Sequence, residues 1–324
     1  MEYCRLGNGP LEVSRLSFGT WLTVAGGIGQ EQATRCIHAA VDQGITLFDT
    51  ANEYGAGAAE RTLGAALKAF PRDKFMVATK LYFPVGDEPD KGLSTAQIEK
   101  QLNRSLERLG VDVIDLYYCH RYDKETPLEE TIAALDRAAQ SGKVRAIGFS
   151  EWTGEQIDAA AALAGQGGVV SFSASQPQYS MLWRKPEARV FPACARYGIG
   201  NVVFSPLAHG VLTGKYAPGQ PPPPGSRAAD QQMNRYMETA GRHFRSDYLL
   251  EAVEQLKPIA ADLGLTMAQM ALAWVLRRTE VASAIIGASR PEQVADNVKA
   301  LGVTLPEEAL QRIDLAVGAV AVWE

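Results

Sequence analysis

Eight short apolar runs, each followed by sequence at helical spacing, succeed one another along this chain of 324 residues. They are LSFGTW (16–21), TLFDTA (46–51), FMVATKL (75–81), VIDLYYCH (113–120), VRAIGFS (144–150), SFSASQPQ (171–178), NVVFSPLA (201–208) and ASAIIGAS (282–289). Between them lie amphipathic stretches such as STAQIEKQLNRSLERLG and TPLEETIAALDRAAQSG. These start at the N-cap residues Ser94 and Thr126 and stop at Gly110 and Gly142. Pro127 takes the first helical position of the second stretch. Repeated βα units demand parallel strands, because each helix carries the chain back to the same end of the sheet. Eight of them close naturally into a (β/α)8, or TIM, barrel. An open doubly wound sheet is the rival. FGTWLTVAGGIG, however, lacks the glycine order of a dinucleotide-binding turn, so the α/β barrel is the expectation.

Two segments stand outside the series. EYCRL and LEVSRL flank GNGP and read as an N-terminal β-hairpin that plugs the bottom of the barrel. Residues 209–245, with PGQPPPPGSRAADQQ, form a long loop after strand seven. No domain boundary interrupts the pattern, so residues 1–324 are read as a single barrel domain.

Composition narrows the function classes. Hydrophobic residues make up 46% and charged residues 21% of the chain, the proportions of a water-soluble globular fold. A net charge of −5 with scattered Lys and Arg argues against a nucleic-acid partner. No apolar run is long enough for membrane insertion, and no charged n-region precedes an apolar one at the N-terminus. Cys4, Cys36, Cys119 and Cys194 are too dispersed for a zinc site or a disulfide framework, and no metal is expected. A cytoplasmic location follows as the expectation.

In a TIM barrel the chemistry sits at the C-terminal ends of the strands. Strand two ends at Asp49 with Tyr54 just beyond. Strand three ends at Lys80, strand four at His120, strand five at Ser150 and Glu151, and strand six carries Gln176. Singly, each has a plain reading: Asp49 as a strand-end cap, Tyr54 as a packing aromatic, His120 as a surface histidine, Lys80 as solvated. Lys80 also admits a Schiff-base reading, as in barrel aldolases. Together they make a proton donor. A lysine ammonium lowers the pKa of a nearby phenol, an aspartate holds the lysine charged, and a histidine orients a substrate oxygen. Reduction of a carbonyl would further need a hydride from a nicotinamide cofactor.

The motifs FDTANEYGAGAAE, VATKL, IDLYYCH, GKVRAIGFSE, SQPQYS, FSPLAHGVLTGKY and IIGASRPEQVADN, in this order, make the chain resemble the aldo-keto reductases over nearly its whole length. The likeness is greatest to the branch that holds the voltage-gated potassium channel β subunits and their bacterial relatives. The resemblance implies that Asp49, Tyr54, Lys80 and His120 are the catalytic four, with Tyr54 giving the proton. It implies an NADPH laid across the mouth, near Thr20 and Trp21. Ser150 and Gln176 match the carboxamide contacts, and Phe204 matches the aromatic beneath the nicotinamide. Ser205, Pro206 and Leu207, with Lys215, match the loop over the pyrophosphate, and Arg227 matches a further clamp residue. Gly287, Ser289, Gln293, Asp296 and Asn297 match the adenosine end. GASRPEQ also sets backbone amides, Ser289 and Arg290 at a helix start, a good place for a phosphate, which favours NADPH over NADH.

Two departures stand out. Glu151 replaces the Asn or Arg common after the strand-five serine, and Asp296 stands where Glu is commoner. Channel β subunits carry Asn where this chain has His120, which points to a working NADPH-dependent reductase of aldehydes or activated ketones. The rival from the same resemblance is an NADPH-binding regulatory subunit with little turnover. For the assembly the resemblance implies either a homo-oligomer, a tetramer as in the channel-type relatives, or a monomer as in many aldo-keto reductases. Trp21, Tyr82 and Trp152 are candidates for an aromatic substrate wall, joined by His120 and His209. Trp274 reads as core, His38 as a helix-surface residue and His243 as a loop residue.

Overall fold

In the computed structural model, which describes residues 1–21, 23–87, 90–164, 169–230, 244 and 246–323, eight parallel strands form a closed barrel. After the hairpin β1 (Tyr3–Arg5) and β2 (Glu12–Ser14), the staves are β3 (Leu16–Gly19), β4 (Leu47–Asp49), β5 (Met76–Leu81), β6 (Ile114–Cys119), β7 (Val144–Ser150), β8 (Phe172–Gln176), β9 (Gly200–Val203) and β10 (Val281–Ile286). Each pairs with the next, and β10 returns to β3 through Ala284 opposite Leu16. This is the (β/α)8 architecture the periodicity predicts, with the hairpin and a long connection after β9.

The helices, in chain order, are α1 (Gln30–Asp42), α2 (Ala58–Leu67), α3 (Thr95–Leu109), α4 (Leu128–Gln140), α5 (Gly154–Ala164), α6 (Val190–Arg196), α7 (Asp247–Glu254), α8 (Leu256–Asp262), α9 (Met267–Leu276), α10 (Pro291–Val298) and α11 (Glu307–Val317). Ser94 caps α3 by accepting from Gln97 N, and Gly110 ends it in the left-handed conformation at φ 66°. Thr126 is not the N-cap of α4. Its hydroxyl donates to Asp123 Oδ2 at 2.6 Å, and the helix begins at Leu128 behind Pro127. Asp123 draws the loop together instead, also accepting from Leu93 N and Glu125 N. Residues 231–243 and 245 of the long connection, and with them His243, lie outside the described residues. Among the described residues no single helix is long and apolar enough to cross a membrane.

Two apolar layers hold the barrel. The outer one lies between strands and helices and contains Trp274, stacked on Tyr179 with ring centroids 5.4 Å apart. The inner one fills the barrel with Leu47, Ala78, Leu116, Tyr118, Ala146, Ala174, Val202 and Ile285. Leu6, Leu11 and Val13 of the hairpin belong to this inner layer, which makes the hairpin the barrel's floor. Its turn is latched by Asn8 N, which donates to Gly198 O at 2.7 Å.

Only small residues on β5, β7 and β8 leave room for the Tyr118 ring. A Cβ on Gly148 would lie 2.5 Å from two of its ring carbons and 2.8 Å from Ala174 O. Gly148→Ala is therefore expected to destabilise the fold by about 1–3 kcal/mol through overpacking. Urea unfolding measures it; an unchanged midpoint would show that the ring can move aside.

Candidate active site

The segment opening at Asp49 is bent to bring a phenol back over its own strand. Beyond β4 the chain keeps pairing with β5: Thr50 N donates to Ala78 O and Asn52 N to Lys80 O. It then turns through Gly55 (φ 56°), Ala56 (φ 50°) and Gly57 (φ 83°) into α2. A Cβ on Gly55 would approach Ala25 O to 2.9 Å, so glycine serves both the turn and the contact. Tyr54, within this turn, packs on Ala51, Ala59 and Trp21.

Lys80 comes up from β5 beneath it and is fully buried. Its ammonium donates to Asp49 Oδ1 at 2.6 Å, to Thr50 O at 2.8 Å and to Tyr54 Oη at 3.2 Å. Three N–H donors meet three acceptors, which is what a buried ammonium requires. The second oxygen of Asp49 accepts from Gln176 Nε2 at 2.8 Å. Its backbone carbonyl accepts from Thr20 N at 3.0 Å and Thr20 Oγ1 at 3.1 Å. Thr20 and Gln176, matched by sequence to a cofactor, thus also clamp the aspartate in this structure.

Protonation departs from the sequence-based expectation. Burial pushes the Tyr54 phenol well above its ordinary pKa, and the charges of Asp49 and Glu53 add to the rise. Lys80 does not lower it to neutrality, because the aspartate it contacts offsets its charge. Burial lowers the Lys80 pKa, opposed by the charge and hydrogen bond of Asp49. His120 is held neutral: burial lowers its pKa well below the usual value, and Lys80 and Arg121 lower it further. Its ring lies edge-on to Tyr54 with centroids 5.8 Å apart.

The aromatic surroundings only partly follow the sequence reading. Trp21 is half-buried beside Tyr54, at 6.3 Å, and beside His209, at 5.9 Å. Trp152 is not part of this wall. It is 2% exposed, stacked on Phe149 at 4.9 Å in the layer between strands and helices. Tyr82, at φ 146°, turns onto Phe83, and Phe83 is the ring that meets His120, at 5.1 Å. The second aromatic in LYFP was the overlooked signal. His209 is buried, and its Nδ1 lies 3.0 Å from Arg227 Nη1, so Arg227 braces the loop after β9. Burial pulls the Arg227 pKa down to about 10.

The remaining predicted cofactor residues lie at the end of β7 and on the segments that follow β9 and β10. Phe204 is half-buried on top of the inner layer. Ser205, Ala208 and His209 adopt positive φ, and with Pro206 and Leu207 they curl the chain sharply after β9. Ser150 Oγ donates to Gln176 O at 2.9 Å. Glu151, at φ 57°, accepts from Gln178 N at 2.7 Å and so fixes the end of β8; the sequence had given it no role. Gly287 and Arg290 are exposed after β10, and Asn297 is buried. Gln293 Oε1 accepts from Ser289 N at 2.8 Å and Arg290 N at 3.3 Å, so these amides, offered by sequence to a phosphate, serve the turn here. Asp296 Oδ1 accepts from Gln269 Nε2 at 2.9 Å. Among the described residues neither Lys215 nor Arg290 is in an ion pair, and no cluster of His, Cys, Asp and Glu is placed to hold a metal.

A buried Asp–Lys–Tyr array at the mouth of a (β/α)8 barrel defines a class of oxidoreductase-type sites. The aldo/keto reductase family model matches residues 15–317, and the chain belongs to that family. Its relatives include a protein of Oryza sativa subsp. japonica named "probable voltage-gated potassium channel subunit beta", 38% identical over 98% of this chain and 97% of the relative. One of the same name from Arabidopsis thaliana is 39% identical over 94% and 92% of the two chains. A putative subunit of that kind from Schizosaccharomyces pombe is 38% identical over 95% and 91%.

The buried pair yields a stability prediction. Lys80→Met leaves the Asp49 carboxylate without its counter-ion and is expected to cost about 3–5 kcal/mol, more than Lys80→Met combined with Asp49→Asn. Chemical denaturation of both variants decides; a double variant as unstable as the single one would contradict the pairing.

Proposed function

We propose that this protein is an NADPH-dependent reductase of aldehydes or activated ketones, working as one barrel unit in the reducing cytoplasm. The observation that carries the reading is the Lys80 ammonium, hydrogen-bonded at once to Asp49 and to the Tyr54 hydroxyl. The residues fit a nicotinamide dinucleotide in kind. Phe204 offers a half-open aromatic face, Ser150 lies beside Gln176, and the exposed Lys215 and Arg290 supply cations for phosphates. A free cation at Arg290 supports NADPH over NADH. When bound, the cofactor supplies the hydride for the carbonyl carbon.

The chain's own residues supply the rest. His120, neutral, gives or takes a hydrogen bond at the substrate oxygen and orients it. Tyr54 holds its proton until negative charge develops on that oxygen. Its raised pKa does not prevent the transfer, since an alkoxide is more basic than a phenolate. Lys80 steadies the phenolate by the hydrogen bond it already makes, and Asp49 and Gln176 keep Lys80 in place. Trp21, Phe83 and His120 shape an apolar approach that limits water. The Schiff-base alternative is disfavoured, because an ammonium with three hydrogen-bond acceptors is a poor nucleophile.

The names of the plant and yeast relatives favour a second reading: a β-type subunit, assembled with further copies of itself as a tetramer, that binds NADPH and regulates a channel-type partner. Turnover separates the two. Tyr54→Phe is expected to keep NADPH affinity and lower aldehyde reduction by about 10²–10⁴-fold. The check is NADPH absorbance with a reactive aromatic aldehyde. NADPH binding without turnover in the wild type would favour the subunit reading, and equal turnover in the variant would remove Tyr54 as the acid.

A further inference from the structure

His120 Nδ1 is shut off from solvent and has no hydrogen-bond partner, in a side chain itself only 8% exposed. A neutral imidazole carries one N–H and one lone pair, so whatever engages Nδ1 decides what Nε2 presents. A carboxyl stands just outside hydrogen-bond range: Glu53 Oε1 lies 4.0 Å from Nδ1. A shift of about 1 Å brings that pair into hydrogen-bond range. Glu53 is the residue immediately before Tyr54, on the same turn, and its side chain is one-third exposed, so it exchanges protons with solvent.

We propose that Glu53 is a positioning residue that sets the tautomer of His120, and thereby whether the site offers a hydrogen-bond donor or an acceptor to the substrate oxygen. The inference rests on the reductase reading for its functional consequence, but not for the tautomer itself. As a carboxylic acid, Glu53 donates its O–H to Nδ1, which places the ring proton on Nε2, a donor suited to a carbonyl oxygen. As a carboxylate, Glu53 accepts from Nδ1–H, which leaves the Nε2 lone pair facing the substrate, an acceptor suited to the hydroxyl of an alcohol. One proton on Glu53 thus selects between carbonyl and alcohol recognition.

The charged and titratable surroundings permit such a switch. Lys80 from β5 and Arg121 after β6 both favour the carboxylate, and burial outweighs them, raising the Glu53 pKa above the ordinary glutamate value. Of the other ionisable neighbours, Tyr54 is held protonated by burial, and Asp49 is engaged in its ion pair with Lys80 at 2.6 Å. His120 does not itself charge, because burial, Lys80 and Arg121 all oppose the imidazolium. The sign follows. The Nε2–H form, and with it carbonyl recognition, prevails below the Glu53 pKa and is lost as pH rises through it.

The test is nitrogen-15 NMR of the full chain labelled at histidine, without cofactor, with the His120 signals assigned by their loss in His120→Asn. The wild type is expected to pass from the Nε2–H to the Nδ1–H tautomer as pH rises, with one midpoint. In Glu53→Gln and Glu53→Leu the crossover should vanish. A single tautomer at every pH in the wild type, or the same crossover in both variants, would overturn the proposal. In parallel, kcat/KM for reduction should fall about tenfold per pH unit above that midpoint in the wild type and lose this limb in Glu53→Gln. A crossover without wild-type turnover supports the tautomer assignment and rejects the reductase reading. Turnover without a crossover rejects the assignment alone.

Discussion

A lysine ammonium buried at the rim of a β-barrel dictates most of what surrounds it. Lys80 has no solvent to share its charge with, so each of its protons needs an acceptor held within reach. One is the Asp49 carboxylate from the neighbouring strand, one the Thr50 carbonyl just beyond, and one the Tyr54 hydroxyl from the turn that follows. Those acceptors lie along six consecutive residues, which explains why strand, sharp turn and tyrosine follow one another so closely. Gln176 from β8 and Thr20 after β3 then hold Asp49 from either side.

The same desolvation fixes the protonation states. Tyr54 stays neutral, so in the proposed reaction it is an acid only toward a strong base such as a developing alkoxide. His120 stays uncharged, so the role proposed for it is hydrogen bonding rather than that of an ion. The sequence-based picture of a lysine drawing the phenol's pKa down neglected the aspartate that offsets the lysine's charge, together with the cost of burying a phenolate. Proximity of the right residue types was legible; the net electrostatic sign needed the burial of each group.

Strand order and barrel closure were readable because a short apolar run followed by sequence at helical spacing recurs eight times, and the hairpin was readable because EYCRL and LEVSRL flank GNGP. Asp49, Tyr54, Lys80 and His120 were readable because parallel strands put their ends at one mouth. What escaped were side chains whose direction depends on the backbone. Trp152 ends a strand like Trp21 yet turns into the layer beneath the helices, and Phe83 rather than Tyr82 meets His120 after a residue at φ 146°. Gln176, Thr20 and Gln293 hydrogen-bond protein groups that a linear motif assigns to a ligand. Loop carboxylates were the hardest to read. Asp123 and Glu151 draw loop backbone together, and Glu53 borders the site without belonging to its motif.

The central claim is that this mouth moves a hydride to a carbonyl carbon while Tyr54 protonates the oxygen. It is met most directly by reducing an aldehyde with NADPH carrying deuterium at nicotinamide C4, labelled on each face in turn, and analysing the alcohol by mass spectrometry. A fixed aromatic platform at Phe204 predicts deuterium in the product from one face only. An unlabelled alcohol from both cofactors, or equal labelling from either face, would contradict hydride transfer in an ordered site.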